Sequence, residues 1–180
     1  MILTFKESVA KYGNQYQTEK RVQDGEIFRL EAGVYSTEKY VPEEAILMKK
    51  YPKAVLSGDY AFYFHNLTDV APDDFTLATS SKAAKIPDPR VKQQFVRDDL
   101  LYLGAKQEIV DGYSIIVYDR ERMLIELLRN KHCLPYDYYK EIISNYRKII
   151  IDLEIWRIQE YADIFPKSKL IHKALAEEVF

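Results

Sequence analysis

Hydrophobic and polar positions divide this chain into two parts with different periodicities. In the first two-thirds, short apolar segments alternate with glycines and prolines, and all six glycines lie at or before Gly112. The remaining third has apolar residues at helical spacing and prolines only at positions 135 and 166, a pattern typical of helices. It predicts helices over 119–130, 136–150, 152–164 and 167–179. The chain is therefore expected to be an α+β protein with a helical C-terminal end.

The opening segment has the pattern of a capped helix. Thr4 and Glu7 are spaced as a capping box and Gly13 is a stop signal, so a helix is predicted over 4–12. A second short helix is predicted over 18–23 from its apolar and polar spacing.

The two helices are followed by a segment with the pattern of a hairpin. Apolar side chains surround Gly33 within residues 26–36, which predicts two strands joined by a loop of three to five residues, with the register left open. Helix, helix and hairpin make up the skeleton of an abbreviated winged helix-turn-helix. We therefore predict an abbreviated winged-helix-like DNA-binding module over residues 1–37.

Residues 38–180 are predicted to form a mixed α/β domain. A mixed sheet over 53–118 is expected to precede helices over 119–180, and Asp111-Gly112 is the strongest hairpin signal in the chain. Short apolar or alternating segments predict the strands, which are placed at 53–57, 75–79, 91–97, 100–104, 107–110 and 113–118.

Composition and charge narrow the classes of function. With 47% apolar and 30% charged residues, the chain is typical of a globular protein. Its single cysteine, Cys133, forms no internal disulfide. No apolar run has the length of a membrane span and the first residues lack a signal-peptide pattern, so a cytoplasmic protein without a membrane partner is expected. The net charge of −2 requires any DNA contact to come from a local patch.

Motifs that carry catalysis or hold a metal are missing from the sequence. The histidines lie at 65, 132 and 172, with no second ligand at a metal-binding spacing. No GxSxG, GxGxxG or P-loop sequence occurs, and no Asp or Glu has a Lys two residues later, as one type of Mg²⁺-dependent nuclease requires. We therefore expect a protein that is not an enzyme and has no catalytic residue, cofactor or metal.

Basic and amide side chains near the start of the chain are the candidate DNA contacts. Cations bind phosphates, and amides can read base edges. The candidates are Lys6, Lys11, Asn14, Gln15, Gln17, Lys20, Arg21 and Arg29. Lys20 and Arg21 lie on the predicted recognition helix and Arg29 lies on the wing. Glutamates are interspersed among them, so charge alone favours the alternative, a solvated surface that binds nothing.

Several short motifs, in one order, resemble those of a known family. They lie in RVQDGEIFRLEAGVYS, YPKAVLSGDYAFYFHNLTDVAPDDFTLAT and DGYSIIVYDRERMLIELLR. Over about residues 24–129 the chain resembles AbiEi-type antitoxins, the abortive-infection transcriptional regulators of type IV toxin–antitoxin systems. The positions that carry the likeness are Leu30, Gly33, Val34, Tyr35, Pro52, Ala54, Val55, Ser57, Gly58, Ala61, Leu67, Thr68, Asp69, Asp111, Gly112, Arg120 or Arg122, and Leu124.

The resemblance implies a non-enzymatic antitoxin that counteracts a nucleotidyltransferase toxin in phage defence, without a stable toxin–antitoxin complex. It also implies an N-terminal module that binds operator DNA and represses the protein's own operon. Only two helices are predicted before the wing, where a full winged helix has three. The chain is therefore expected either to rely on a homodimer for DNA binding or to retain only the antitoxin role. The alternative is a non-enzymatic protein-interaction module that uses the tyrosine-rich helical end and does not bind DNA.

Overall fold

The first helix begins where its capping residues predict. In the computed structural model, which describes all 180 residues, the Thr4 side chain accepts a hydrogen bond from the backbone N–H of Glu7. The Glu7 carboxylate in turn accepts one from the backbone N–H of Thr4, at 2.7 Å. This capping box starts α1 (Phe5–Tyr12), and Gly13, with a φ of 101°, ends it. The helix predicted over 4–12 is confirmed.

The second helix is longer than the sequence pattern predicted. α2 spans Gln15–Gln23, because the Asn14 side chain caps it by accepting a hydrogen bond from the backbone N–H of Gln17 at 2.8 Å. The predicted start at residue 18 is therefore wrong by almost one turn. Thr18 instead lies inside α2, fully buried, and its hydroxyl donates to the backbone carbonyl of Asn14.

A three-stranded antiparallel sheet completes the first module. The strands follow the order β1–β3–β2, with bounds β1 (Ile2–Thr4), β2 (Phe28–Glu31) and β3 (Val34–Ser36). Only Ala32 and Gly33 connect β2 to β3, so the loop is shorter than the three to five residues expected. Gly33 has a φ of 75°, which favours glycine in this turn. The order strand, helix, helix, strand, strand is that of a winged helix-turn-helix without its first helix.

A small hydrophobic core holds this module together. Leu3, Ile27 and Tyr35 are buried, and Tyr12 and Val22 pack against them. These residues come from β1, β3, both helices and the segment that precedes β2. Burial of their apolar surface from water therefore stabilises the helices against the sheet.

The remaining strands form one five-stranded mixed sheet. They follow the order β6–β5–β4–β8–β7, with bounds β4 (Val55–Ser57), β5 (Phe75–Ser80), β6 (Val91–Val96), β7 (Ala105–Val110) and β8 (Tyr113–Tyr118). β4 pairs antiparallel with β5 and parallel with β8, and β5 pairs parallel with β6.

The strand predicted over 100–104 is wrong. These residues form turns, in which the backbone N–H of Leu103 donates to the carbonyl of Leu100. Leu100 and Leu101 are nevertheless buried. The apolar pattern here is therefore explained by burial of the side chains, and it does not indicate a strand.

Six further helices follow α2. Their bounds are α3 (Glu43–Lys50), α4 (Gly58–Phe64), α5 (Arg120–Arg129), α6 (Tyr136–Lys148), α7 (Ile155–Ile164) and α8 (Ser168–Glu178). The C-terminal third is helical, as predicted, and the chain with its two sheets and eight α-helices has the predicted α+β class. No helix combines the length and the apolar composition that a membrane crossing requires.

Contacts within the chain define two compact units. The first consists of Met1–Ala54 and 107–115, and so contains the winged-helix-like module together with α3. The second consists of Val55–Lys106 and Ile116–Phe180.

A completely buried arginine organises the second unit. The Arg122 guanidinium lies 4.3 Å from the ring centroid of Tyr118 and 4.5 Å from that of Phe165. It donates hydrogen bonds to the carbonyl groups of the 100–104 turns and pairs with a carboxylate one helical turn away; these partners are Leu100, Leu103 and Glu126. The charge is thus compensated inside the core, as a buried charge requires.

Candidate nucleic-acid interface

α2 presents one face to the core of its module and the opposite face to solvent. Thr18 is buried and Val22 packs on the core. On the other side, Tyr16, Lys20 and Gln23 follow the i, i+4, i+7 spacing of one helix face, and all three are exposed. We call these three residues the α2 stripe. α2 is the second of the two helices that precede the β2–β3 hairpin, and in a helix-turn-helix protein the helix at this position is the recognition helix.

The amide side chains flank the start of this helix. Gln15 and Gln17 are exposed in the first turn of α2, where helix-turn-helix proteins contact base edges. Asn14 is also exposed, but its side-chain oxygen caps the helix. The structure therefore places Gln15 and Gln17 as candidate base contacts and gives Asn14 a role in starting the helix.

Four of the predicted cations lie at the surface of the first unit without a salt-bridge partner. They are Lys6 and Lys11 on α1, Lys20 on α2 and Arg29 on β2. The Lys11 ammonium lies 5.5 Å from the ring centroid of Tyr12. This contact brings no negative charge to the lysine. These side chains can bind phosphate groups, because they are long, basic and exposed.

Arg21 differs from the other cations because it is engaged within the module. Its guanidinium forms an ion pair with Glu26 and lies 4.8 Å from the ring centroid of Tyr12. The side chain is 41% exposed. Arg21 thus stabilises the end of α2, and a phosphate would have to compete with Glu26 for it.

Two of the glutamates that offset these cations in the sequence, Glu7 and Glu31, are paired with lysines outside the candidate set. The Lys49 ammonium lies 2.8 Å from Glu7, and the Lys50 ammonium lies 2.8 Å from Glu31. Hydrogen bonds from Lys49 and from the backbone of Thr4 lower the pKa of Glu7. The balancing cations therefore come from α3, outside the predicted 1–37 module.

The second unit contains a cleft of about 290 Å³ between its sheet, α4 and α5. Its wall includes Asp59, Lys92 and Glu126. Glu126 is paired with Arg122 and Arg129, and the Asp59 carboxylate accepts a hydrogen bond from Tyr138. No three His, Cys, Asp or Glu side chains in the chain are grouped as a metal site would require.

Comparison with known proteins gives a likeness to a solved structure. No protein-family model matches the chain, and no curated protein matches it significantly. Its fold is similar to the crystal structure of the RV2827C protein from Mycobacterium tuberculosis, with a TM-score of 0.62 and 12% sequence identity. The alignment covers 98% of this chain and 71% of that chain. At this identity the likeness shows a shared fold and nothing more.

Sequence reasoning missed two residues of the α2 stripe, Tyr16 and Gln23. Tyr16 is 71% exposed at the start of the α2 stripe, but the helix was predicted to begin only at residue 18. The signal that could have placed Tyr16 on the helix is Asn14, a favoured N-cap residue that follows directly after the stop signal Gly13.

Proposed function

We propose that this protein is a non-enzymatic DNA-binding antitoxin. Its first unit binds operator DNA in the cytoplasm and represses its own operon, and the protein counteracts a nucleotidyltransferase toxin in phage defence without a stable complex. The motifs that resemble AbiEi-type antitoxins support the toxin-related part. The observation that carries the DNA-binding part is the exposed α2 stripe of a winged-helix-like module, surrounded by cations without salt-bridge partners.

Two exposed cations of the first unit support a nucleic acid as the partner. Lys20 lies on the would-be recognition helix and Arg29 on the wing, the two elements that contact groove and backbone in such modules. Because Glu7 and Glu31 are paired with lysines of α3, their fields are largely cancelled at the distance of a bound duplex. This pairing supports attraction of phosphates by Lys20 and Arg29 although the whole chain has a net charge of −2.

DNA binding is tested by titrating the full chain against a labelled duplex of its own upstream region at several salt concentrations. Lys20→Ala and Arg29→Ala should each weaken binding and reduce the slope of log K against log salt by about one. Lys169→Ala, which removes an exposed lysine of α8, is the matched control and should leave both quantities unchanged. Absence of binding at low salt would overturn DNA binding.

Toxin neutralisation is tested separately, by co-expression with the nucleotidyltransferase encoded beside this protein. The chain should restore growth, while a tagged toxin should not retain it during purification. Lys20→Ala/Arg29→Ala should lose repression of an operon reporter and still restore growth, because the variant changes only the DNA-binding surface. Failure of the unaltered chain to restore growth would contradict the antitoxin role.

A protein-interaction module without DNA binding is the second candidate. Large apolar side chains are exposed in the C-terminal helical part: Ile151 is 89% exposed, Trp156 is 61% exposed and Leu170 is 63% exposed. Exposed aromatic residues are enriched at protein interfaces. This candidate is favoured if the chain binds no duplex at low salt and a partner captured by the full chain is lost in Trp156→Ser.

A further inference from the structure

We propose that Tyr16 reads the 5-methyl group of a thymine in the major groove, so that the bound site contains an A·T pair opposite the start of α2. This inference rests on the proposed DNA binding and deepens it by naming the base. Three observations carry it: the exposure of Tyr16, its position on the helix, and the chemistry of its neighbours.

The environment of Tyr16 gives its ring no role in folding. The residue is 71% exposed, and its hydroxyl and ring take part in no hydrogen bond, ring pair or cation–π contact within the chain. The core of the module is completed on the opposite side of α2, by Thr18 and Val22. The Tyr16 ring, at the start of the α2 stripe, is therefore available to a partner.

The position of Tyr16 fits a base contact. It is the second residue of α2, and the N-terminal turn of a recognition helix is the part that contacts base edges. Lys20 lies one turn further along the same face, about 6 Å along the axis. A duplex bound along this face of α2 would therefore meet both residues.

The side chains of the first turn favour A·T pairs over G·C pairs. Guanine is read mainly by Arg or Lys, and residues 15–18, with sequence QYQT, contain neither. Glutamine amides can pair with adenine, and apolar side chains contact the thymine methyl group. Gln15 and Gln17 precede and follow Tyr16 in the first turn of α2, so this turn offers partners for both bases of an A·T pair.

The test replaces thymines of the bound duplex by uracil, one at a time, which removes only the methyl group and preserves pairing. For the unaltered chain, one position in each bound site should lose about fourfold in affinity, the equivalent of one buried methyl-sized group. Tyr16→Ala should bind the thymine and uracil duplexes equally, with an unchanged salt slope because the phosphate contacts remain. Tyr16→Gln, a second variant with good helix propensity, should behave in the same way.

A matched control variant separates the effect of losing Tyr16 from the effect of losing any exposed tyrosine of the first unit. Tyr40→Ala removes another exposed tyrosine of the first unit, 82% exposed and outside α2, and should retain the preference for thymine. Equal binding of thymine and uracil duplexes by the unaltered chain, or a preference that survives in both Tyr16 variants, would overturn this inference and leave DNA binding intact. Absence of binding to any duplex would overturn the proposed function and this inference with it.

Discussion

The ammonium group of Lys49 lies 2.8 Å from a carboxylate oxygen of Glu7, a residue 42 positions earlier in the chain. The same carboxylate closes the capping box of α1 by accepting hydrogen bonds from Thr4. The Glu7 carboxylate therefore helps to start the first helix and also forms an ion pair with a lysine of α3. The negative charge of Glu7 is thus compensated within the protein itself.

The first prediction follows from this compensation. Lys49→Gln should weaken DNA binding by roughly threefold at low salt, because it leaves the Glu7 charge uncompensated on the surface proposed to bind phosphates. Glu7→Gln should strengthen binding, since it leaves Lys49 unpaired. The double variant should bind like the unaltered chain in a salt-dependent titration. A double variant as weak as Lys49→Gln would mean that Lys49 contacts the duplex directly.

The capping box gives a prediction about stability. Thr4→Ala should lower the free energy of unfolding by about 1 kcal/mol, because the first turn of α1 loses its side-chain acceptor. Thr4→Ser keeps that acceptor and should lose much less. Chemical denaturation measures the difference, and amide exchange should locate it in α1. Equal stabilities of the two variants would show that the cap contributes little here.

The lowered pKa of Glu7 predicts a dependence on pH. A carboxyl group whose pKa is lower in the folded state stabilises the fold above its unfolded value, and this contribution is lost as the pH falls through the folded value. Protection of the α1 amides should therefore decline in acid below the ordinary glutamate value of 4.5. Glu7→Gln should show a smaller decline in the same exchange experiment. An identical decline in both proteins would assign it to other groups.

Asp119 provides a prediction for the second unit. Its buried carboxylate caps α5 by accepting a hydrogen bond from the backbone N–H of Arg122 at 2.7 Å, and it accepts another from the Tyr161 hydroxyl. Burial raises the pKa of this carboxyl group. Asp119→Ala should cost about 1–2 kcal/mol of stability, and Asp119→Asn should cost less because the amide oxygen can still cap the helix. Thermal unfolding of both variants decides the order, and the reverse order would contradict this role.

Local signals allowed much of the secondary structure to be predicted. Thr4 with Glu7 and Asp119 mark helix starts in the sequence, and the structure has helices there. β1 was missed because three residues are too few for an alternating pattern, and the strand exists only through its pairing with β3. The 100–104 segment was assigned wrongly because its buried leucines lie in turns bonded to Arg122, a long-range contact that no local pattern contains.

The candidate interface could be predicted only in part. The residue types were visible in the sequence, and six of the eight candidates are exposed without the engagement that Arg21 and Asn14 show. Tyr16 was missed because the start of α2 was misplaced. The partners of Glu7 and Glu31 lie on α3, and pairing between residues so distant in the chain depends on the tertiary fold.

The first unit is discontinuous in the chain, since it includes 107–115 as well as Met1–Ala54. A fragment that stops at Ala54 would lack the second of these pieces, including Tyr113, whose pKa is raised by burial and by the negative charge of Glu38. The first unit is therefore not contained in any fragment that ends before Ile115, and a ribosome must synthesise more than half of the chain before all of this unit exists.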